Sequence, residues 1–573
     1  ASGTTTLNAA FVNTGDVQVQ SGTVDLTGGG SASGTFEVSA NATLQFGGST
    51  YTLSPASSVT GAGSAIFGGG TVNASGTYNL TGTNTFSGAT VTFAGNYTIT
   101  GQPVTLSSGT VNFNAGGTVN LTGLTMSGGT LGGTVPVPVN GPFSWSSGYI
   151  NNTGGVTLNG TSSLNGAGNN SMQLYGPLIN AGALTWSGSG ANLYINGGTL
   201  TNLAAGTITI TADVSSATSG TIGNAGLLRK TGASGTTTLN AAFVNTGDVQ
   251  VQSGTVSFGS VFIQNAGQTV LNGGNFAFSQ VAQLRGGILS GTGTITGSVS
   301  NNAAIGTGSS PGLLTISGNY SEGANAHLAI KLGGTLAGAN YDLLSIGGSA
   351  ALAGTLDVSY WNGFTPSVGS FFTVLACNAR TGFFSALTAP TNQLAASYTA
   401  KTVLVEPGNV PPIAKLTVPA QSLAGHTFAV KGSGTDPDGT VTNLTLLFGT
   451  NVLASAPGSS AQVNFSSDFP GNLTFTAVAT DNEGAQEATN ATVTITTLPL
   501  LTLDAVGFQT NRAFKLCMLG EAGTNYQVQT STNLAVTNWA ALGIMESTNG
   551  IWRYSDTAAT NSPQRFYRVQ QLP

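Results

Sequence analysis

Apolar and polar residues alternate in short bursts through the first half of the chain. Phe36 and Val38, Leu44 and Phe46, Tyr51 and Leu53, Tyr78 and Leu80, and Val91 and Phe93 are each separated by a single polar residue. The same holds for Tyr97 and Ile99, Val104 and Leu106, Val111 and Phe113, and Val119 and Leu121. A period of two marks a strand with one buried face. Between Val24 and Leu131 the bursts begin about every seven residues, and Gly-Gly, Ser-Gly, Asn-Ala-Gly or Thr-Gly corners that permit positive φ lie between them. Three short strands per turn make a coil of roughly 21 residues. One such coil cannot bury its own apolar side chains, but stacked coils can, with backbone hydrogen bonds running from each coil to the next. The pattern therefore predicts a parallel β-solenoid, with about fourteen coils in residues 1–300. An antiparallel barrel fits less well, because barrel strands usually run about five to ten residues.

A long repeat supports interchangeable units. Residues 1–24, ASGTTTLNAAFVNTGDVQVQSGTV, recur unchanged as residues 233–256. The offset corresponds to about eleven coils of 21 residues, or ten of about 23. The second copy is preceded by Leu228-Arg229-Lys230-Thr231-Gly232. An internal-type coil at Ala1 therefore predicts either a larger precursor or head-to-tail stacking of coils, since unpaired strand edges invite further strands.

The pattern changes after about residue 305. Longer alternating strands and regular charges appear in 306–406, which reads as the closing segment of the solenoid. Glu406-Pro407-Gly408-Asn409-Val410-Pro411-Pro412 reads as a linker. Residues 411–497 contain KLTVPA, TFAVKGSG, VTNLTLLFG, AQVNFSS, LTFTAVATD and ATVTITT, strands of sandwich length. A last β module occupies 499–573.

Composition narrows the function. The chain has 573 residues with only 13 Lys+Arg, 19 Asp+Glu and 2 His, so 6% are charged, against about 25% in ordinary globular domains. The first basic residue is Arg229, and the only acids before it are Asp16, Asp25, Glu37 and Asp213. Nucleic-acid binding is excluded, because phosphate neutralisation needs clustered Lys and Arg. No apolar run reaches the ~18 residues of a membrane-spanning helix. The chain opens without Met or an apolar leader, which predicts a processed, secreted protein or a fragment. Cys377 and Cys517 are too far apart to suggest a disulfide framework.

Three stretches carry family resemblances. FVNTGDVQVQSGTVDLTGG and FSWSSGYINNTGGVTLNG, followed by SPGLLTISGNY, YDLLSIGG, LAGTLDV and TGFF, resemble autotransporter-type passenger repeats of large bacterial surface proteins. That resemblance implies a right-handed parallel β-solenoid with a C-terminal cap. The segment with Asp436-Pro437-Asp438-Gly439 and Ala479-Thr480-Asp481-Asn482-Glu483-Gly484 is similar to bacterial Ig-like domains. The tail, with Ser531-Thr532-Asn533-Leu534, Trp539 and Arg565-Phe566-Tyr567-Arg568, looks like a β-sandwich module found at the C-terminus of large secreted bacterial proteins.

Candidate chemistry is sparse. Glycoside hydrolysis needs two carboxylates facing one cleft, and polysaccharide lyases need carboxylate-held calcium with a base. Residues 1–228 offer four acids and no base, so no catalytic residue is assigned and a β-helix enzyme is the remotest reading. His327 and His426 fall in different modules, each a satisfied or exposed histidine by default. Asp436, Asp438, Asp481 and Glu483 occupy two turns, where grouped hard oxygens suit Ca²⁺; the competing reading is a pair of Asx turns. Trp145 and Trp186 lie 41 residues apart in related strings, which aligns them two coils apart. Exposed, such rings would contact a glycan; inward, they would form a core ladder, and Tyr149, Tyr175 and Tyr194 lie nearby. The sequence thus predicts a non-enzymatic structural protein of the bacterial cell surface or extracellular matrix that stacks end to end into a fibre or stalk. The alternative is an adhesin for polysaccharide or cell-surface ligands.

Overall fold

The computed structural model describes the chain apart from residues 1–2, 101–102, 115, 167–171, 189–191, 218–219, 310, 368, 391–393, 498–502, 509, 511, 521–522, 536, 549–550 and 573. Ala1, where the sequence reading places an uncapped coil, lies outside the described residues. Two compact units follow one another, Ala1–Gly408 and Asn409–Pro573. Both are all-β, with no α-helix among the described residues. Cys377 in the first unit and Cys517 in the second are free thiols.

The first unit is a parallel β-solenoid of about 16 turns. Coils mostly of 19 to 24 residues, as from Thr4 to Thr23 and from Leu184 to Ile208, bring equivalent strands into register. Alternation sets which side chains point inward. Leu44, Phe46, Phe67, Val91 and Phe113 are buried, while the residues between them face outward or sit at the rim. The stacked interior is built by like residues in register: Phe46, Phe67 and Phe86 stack with centroids 5.4 and 4.8 Å apart and nearly parallel planes.

Two features depart from the simple coil. Asn84–Phe93, Pro103–Phe113, Gly123–Gly133 and Phe143–Asn152 are single strands of 10 or 11 residues that turn a corner without a break. Ser107-Ser108-Gly109, Ser127-Gly128-Gly129 and Ser146-Ser147-Gly148 make the corners of the last three, with the last glycine of each at positive φ. Small side chains let the backbone bend while the ladder persists. Elsewhere, stacked glycines solve the corner: a Cβ on Gly267 or Gly287 would lie 2.0 Å from the carbonyl oxygen of the glycine one coil below.

The long repeat is not spaced by whole coils. Its first copy begins on Thr4–Leu7, and eleven ladder steps lead from there to Leu227–Lys230. The second copy starts one strand later, on Thr236–Leu239, which stacks on Ser215–Ala217 in the neighbouring face. The offset is therefore eleven coils plus one face. Identical text fits a different face because each face demands the same alternation and nothing more.

Coils lengthen beyond Gly306, reaching 28 residues from Leu328 to Leu356 and 31 from Leu356 to Leu387. The parallel ladder then stops. Phe372–Ala376 and Leu394–Tyr398 both pair antiparallel with Thr402–Pro407, whose Val403 and Val405 are buried. This reversed pair covers the edge of one face only, while Ala386–Thr388 ends the parallel ladder of another.

The second unit begins with a three-stranded sheet (Ile413–Thr417, Phe428–Thr435, Ser460–Phe465) and a five-stranded sheet that includes Val441–Phe448, Gly471–Asp481 and Gln486–Thr496. Their inner faces share a core of Val430, Leu444, Leu446, Phe475, Val493 and Ile495. Residues 503–571 form a four-stranded and a three-stranded sheet around Leu516, Met518, Tyr526, Val528 and Trp552.

Candidate functional site

The two tryptophans proposed for glycan contact are in register as expected but turned inward. Trp145 pairs with Leu164 and Leu164 with Trp186, two coils on. Their column continues Phe46, Phe67, Phe86, Leu106 and Met126 through the interior. Trp145 is 0% and Trp186 1% exposed. Rings so enclosed have no free face for a sugar, so the core-ladder reading replaces glycan contact at both positions.

The exposed aromatics near these two tryptophans are tyrosines. Tyr149 follows the corner in Phe143–Asn152 and points outward between buried Gly148 and Ile150. It stacks in register between Thr130 on one side and Gln173 on the other, with Tyr194 beyond. Tyr175 follows the next strand, its amide donating to the Ile150 carbonyl at 2.8 Å. Tyr149 and Tyr175 are 44% and 46% exposed, and their rings stack with centroids 6.4 Å apart and planes 28° apart. A shallow hollow of about 240 Å³ is lined by Thr130, Tyr149, Asn151 and Tyr175. Sequence reasoning placed Tyr149, Tyr175 and Tyr194 near the tryptophans, but only the position of the corner shows which rings face out.

In the second unit the acidic turns converge. Asp436 follows Phe428–Thr435, Asp481 ends Gly471–Asp481, and Glu483 lies in the turn after it. Carboxylate oxygens of Asp436, Asp481 and Glu483 lie within 4.8 Å of one another. Asp438, the fourth candidate, stands beside this group and accepts the Val410 amide through Oδ2 at 2.9 Å. Asp481 also works as a turn residue: Oδ1 accepts the Glu483 and Ala485 amides, both at 2.9 Å, and Oδ2 accepts Asn409 at 3.0 Å. Burial pushes the Asp481 carboxyl up, but those hydrogen bonds outweigh it and hold the group below its ordinary value. Asp436 is raised, chiefly by burial and further by Asp438 and Asp481. Asp436 Oδ2 and Asp438 Oδ1 are buried with no hydrogen-bond partner. Two orphaned carboxylate oxygens beside a three-acid cluster fit a hard cation, and Ca²⁺ bound there would supply the missing positive charge.

The solenoid's ionisable groups are dispersed. Asp16 lies opposite Thr35, Glu37 opposite Gln18, and Asp25 opposite Thr6 in a different sheet. His327 Nδ1 meets Asp357 Oδ2 at 2.7 Å across adjacent coils, largely exposed. Lys230 is the departure from expectation: it occupies the tryptophan column between Ile210 and Val251. Its Nζ donates to Asp213 Oδ1 at 2.7 Å and Thr237 Oγ1 at 3.1 Å.

One polar ladder was not legible beforehand. Asn180, Asn202, Asn224 and Asn245 face inward on successive coils. Each Nδ2 donates to the next Oδ1 at 2.8, 2.8 and 2.9 Å. The Asn-Ala-Gly and Asn-Thr-Gly strings at three of these corners were the available signal.

No protein-family model and no curated protein matches the chain. Among solved structures, 15% of it is similar to the PKD domain of an M14-like peptidase from Thermoplasmatales archaeon SCGC AB-540-F20, at 22% identity, 98% of that chain and TM-score 0.14. Fibronectin(III)-like modules of Clostridium thermocellum CbhA match at 12% identity, with 26% of this chain, 79% of that one and TM-score 0.15. A carbohydrate-binding module of the β-sandwich superfamily matches at 14% identity, with 29% of this chain, 100% of that one and TM-score 0.14. At such TM-scores these likenesses decide neither fold nor function.

Proposed function

We propose that this chain is a non-enzymatic structural protein of the bacterial cell surface or extracellular matrix, whose solenoids associate end to end. The observation that carries the reading is the continuous internal ladder of the solenoid. Aromatic stacks and the asparagine ladder run from coil to coil, so cohesion is concentrated along one axis, as a mechanical element requires. The resemblance of the repeats to autotransporter-type passengers supports a surface location. The near absence of charge supports association, because little electrostatic repulsion keeps neighbouring molecules apart. General acid–base catalysis finds few agents in such a wall.

Negative-stain microscopy of the full chain across a concentration series tests this. Filaments that lengthen with concentration are the expected result, together with resistance to a broad-specificity protease. Monodisperse particles at the highest concentration would remove the assembly, and turnover of a polysaccharide would remove the non-enzymatic reading.

A further inference from the structure

The Tyr149–Tyr175 pair sits in a wall of unusual chemistry. Between Glu37 and Asp213 the sequence contains no Lys, Arg, His, Asp or Glu, so a ligand on these coils meets no full charge from them. It meets instead two half-exposed phenol rings stacked across neighbouring coils. Single exposed tyrosines are ordinary, but two in contact make one apolar ledge. Thr130 and Asn151 line the hollow beside it, offering hydroxyl and carboxamide groups that both donate and accept. The Asn196 carboxamide donates to the Gln173 carbonyl in the same wall, which fixes its orientation.

This combination discriminates among ligands. An anionic polymer would find no cation to pair with. An extended peptide would find no free edge, since the strand bearing Tyr149 is hydrogen-bonded on both sides. Apolar C–H faces that alternate with hydroxyl groups match the site, and that is the surface of a neutral sugar chain. We propose that Tyr149 and Tyr175, with Thr130 and Asn151, form a binding site for a neutral polysaccharide lying along the solenoid axis. Coils repeat at about 4.8 Å, comparable with the length of one hexose unit, so successive sugars keep step with successive coils. The site goes beyond the structural role and requires no self-association.

Affinity electrophoresis of the full chain in gels containing hydroxyethyl cellulose, laminarin or galactomannan tests it, with polygalacturonate as the anionic comparison. Retardation is expected in at least one neutral gel and not in polygalacturonate. Tyr149→Ala and Tyr175→Ala should each weaken it by about tenfold, and Tyr149→Phe, which keeps the ring, by less than about threefold. Phe469→Ala, an exposed aromatic of the second unit, should leave binding unchanged, and circular dichroism should show every variant folded. Failure of all neutral gels to retard the wild type would overturn the proposal. So would preferential retention by polygalacturonate, or wild-type binding by folded Tyr→Ala variants. Microscopy of the same variants reports separately on filament formation.

Discussion

The solenoid and the sandwich that follows it hold their strands together by different means. In the solenoid each strand is bonded to an equivalent strand one coil away, so a residue repeated in register becomes a ladder. Asn180, Asn202, Asn224 and Asn245 are buried on those terms, each amide meeting its copy. In residues 413–496 the strands pair antiparallel apart from Gln421–Leu423, and the polar pairs across the antiparallel ones, Thr476 with Asn490 and Thr474 with Thr492, are individual and exposed. Burying a polar side chain is tolerable where the architecture guarantees its partner. Repetition supplies that guarantee, and a sandwich must arrange it pair by pair.

The sharpest way to break the contrast is to remove one rung. Asn202→Leu removes the donor to the Asn224 side-chain carbonyl and to the Gly206 and Leu227 carbonyls, and one acceptor of the Asn180 amide, which keeps Gly182 and Thr207; it should cost about 4 kcal/mol in urea unfolding. Thr476→Ala in the sandwich should cost less than about 0.5 kcal/mol. Equal costs would refute the idea that register protects buried amides.

Next in size is a pH effect confined to the solenoid. Glu322 accepts the Tyr320 hydroxyl at 2.8 Å and the Ala353 amide at 3.0 Å. Burial outweighs both bonds and pushes its carboxyl from 4.5 up to about 7. As pH rises through that interval the unfolded chain loses the proton first, so stability is complete below pH 4.5 and falls until about pH 7. The loss should be roughly 3 kcal/mol, and Glu322→Gln should flatten the profile. A flat wild-type profile would contradict the burial argument.

A buried charge gives a smaller and asymmetric effect. Lys230 is fully buried, whereas Asp213 is 41% exposed. Asp213→Ala leaves an ammonium group inside the column and should cost about 2 kcal/mol. Lys230→Met places an apolar chain between Ile210 and Val251 and should cost under about 1 kcal/mol. The reverse order in thermal unfolding would show that the ion pair itself, and not the uncompensated charge, matters.

The smallest effect belongs to the second unit. If the Asp436, Asp481 and Glu483 cluster holds Ca²⁺, a tenfold excess over Kd stabilises it by roughly 1.4 kcal/mol. Calorimetry with and without a chelator should show that gain in one transition only, and Asp436→Asn should abolish it. No difference on chelation would leave the Asx turns as the whole explanation.

Much of the solenoid was legible because its code is local. Alternation named inward residues such as Phe46, Val91 and Phe113, and the coil length placed Trp145 and Trp186 in one column. What failed was anything that depended on a corner. Val104–Leu106 and Val111–Phe113 read as separate strands, yet Ser107-Ser108-Gly109 bends one strand between them. The same kind of corner, Ser146-Ser147-Gly148, puts Trp145 in the core, as the core-ladder reading had it, and Tyr149 on the surface. In the sandwich, the Asp-Pro-Asp-Gly and Asp-Asn-Glu-Gly turns bring Asp436, Asp481 and Glu483 together, but that Asp438 faces the Val410 amide depends on a chain segment 28 residues away.

By itself the sequence determined the strand period, the inward residues and the approximate coil length, because these follow from neighbours two residues apart. Only the tertiary structure decided which face each copy of the 24-residue repeat occupies, which asparagines meet, and that Lys230 lies inside. Those outcomes depend on partners one coil away, and the register between coils is set by how each corner turns. All three faces accept the same alternation, so local pattern cannot choose among them.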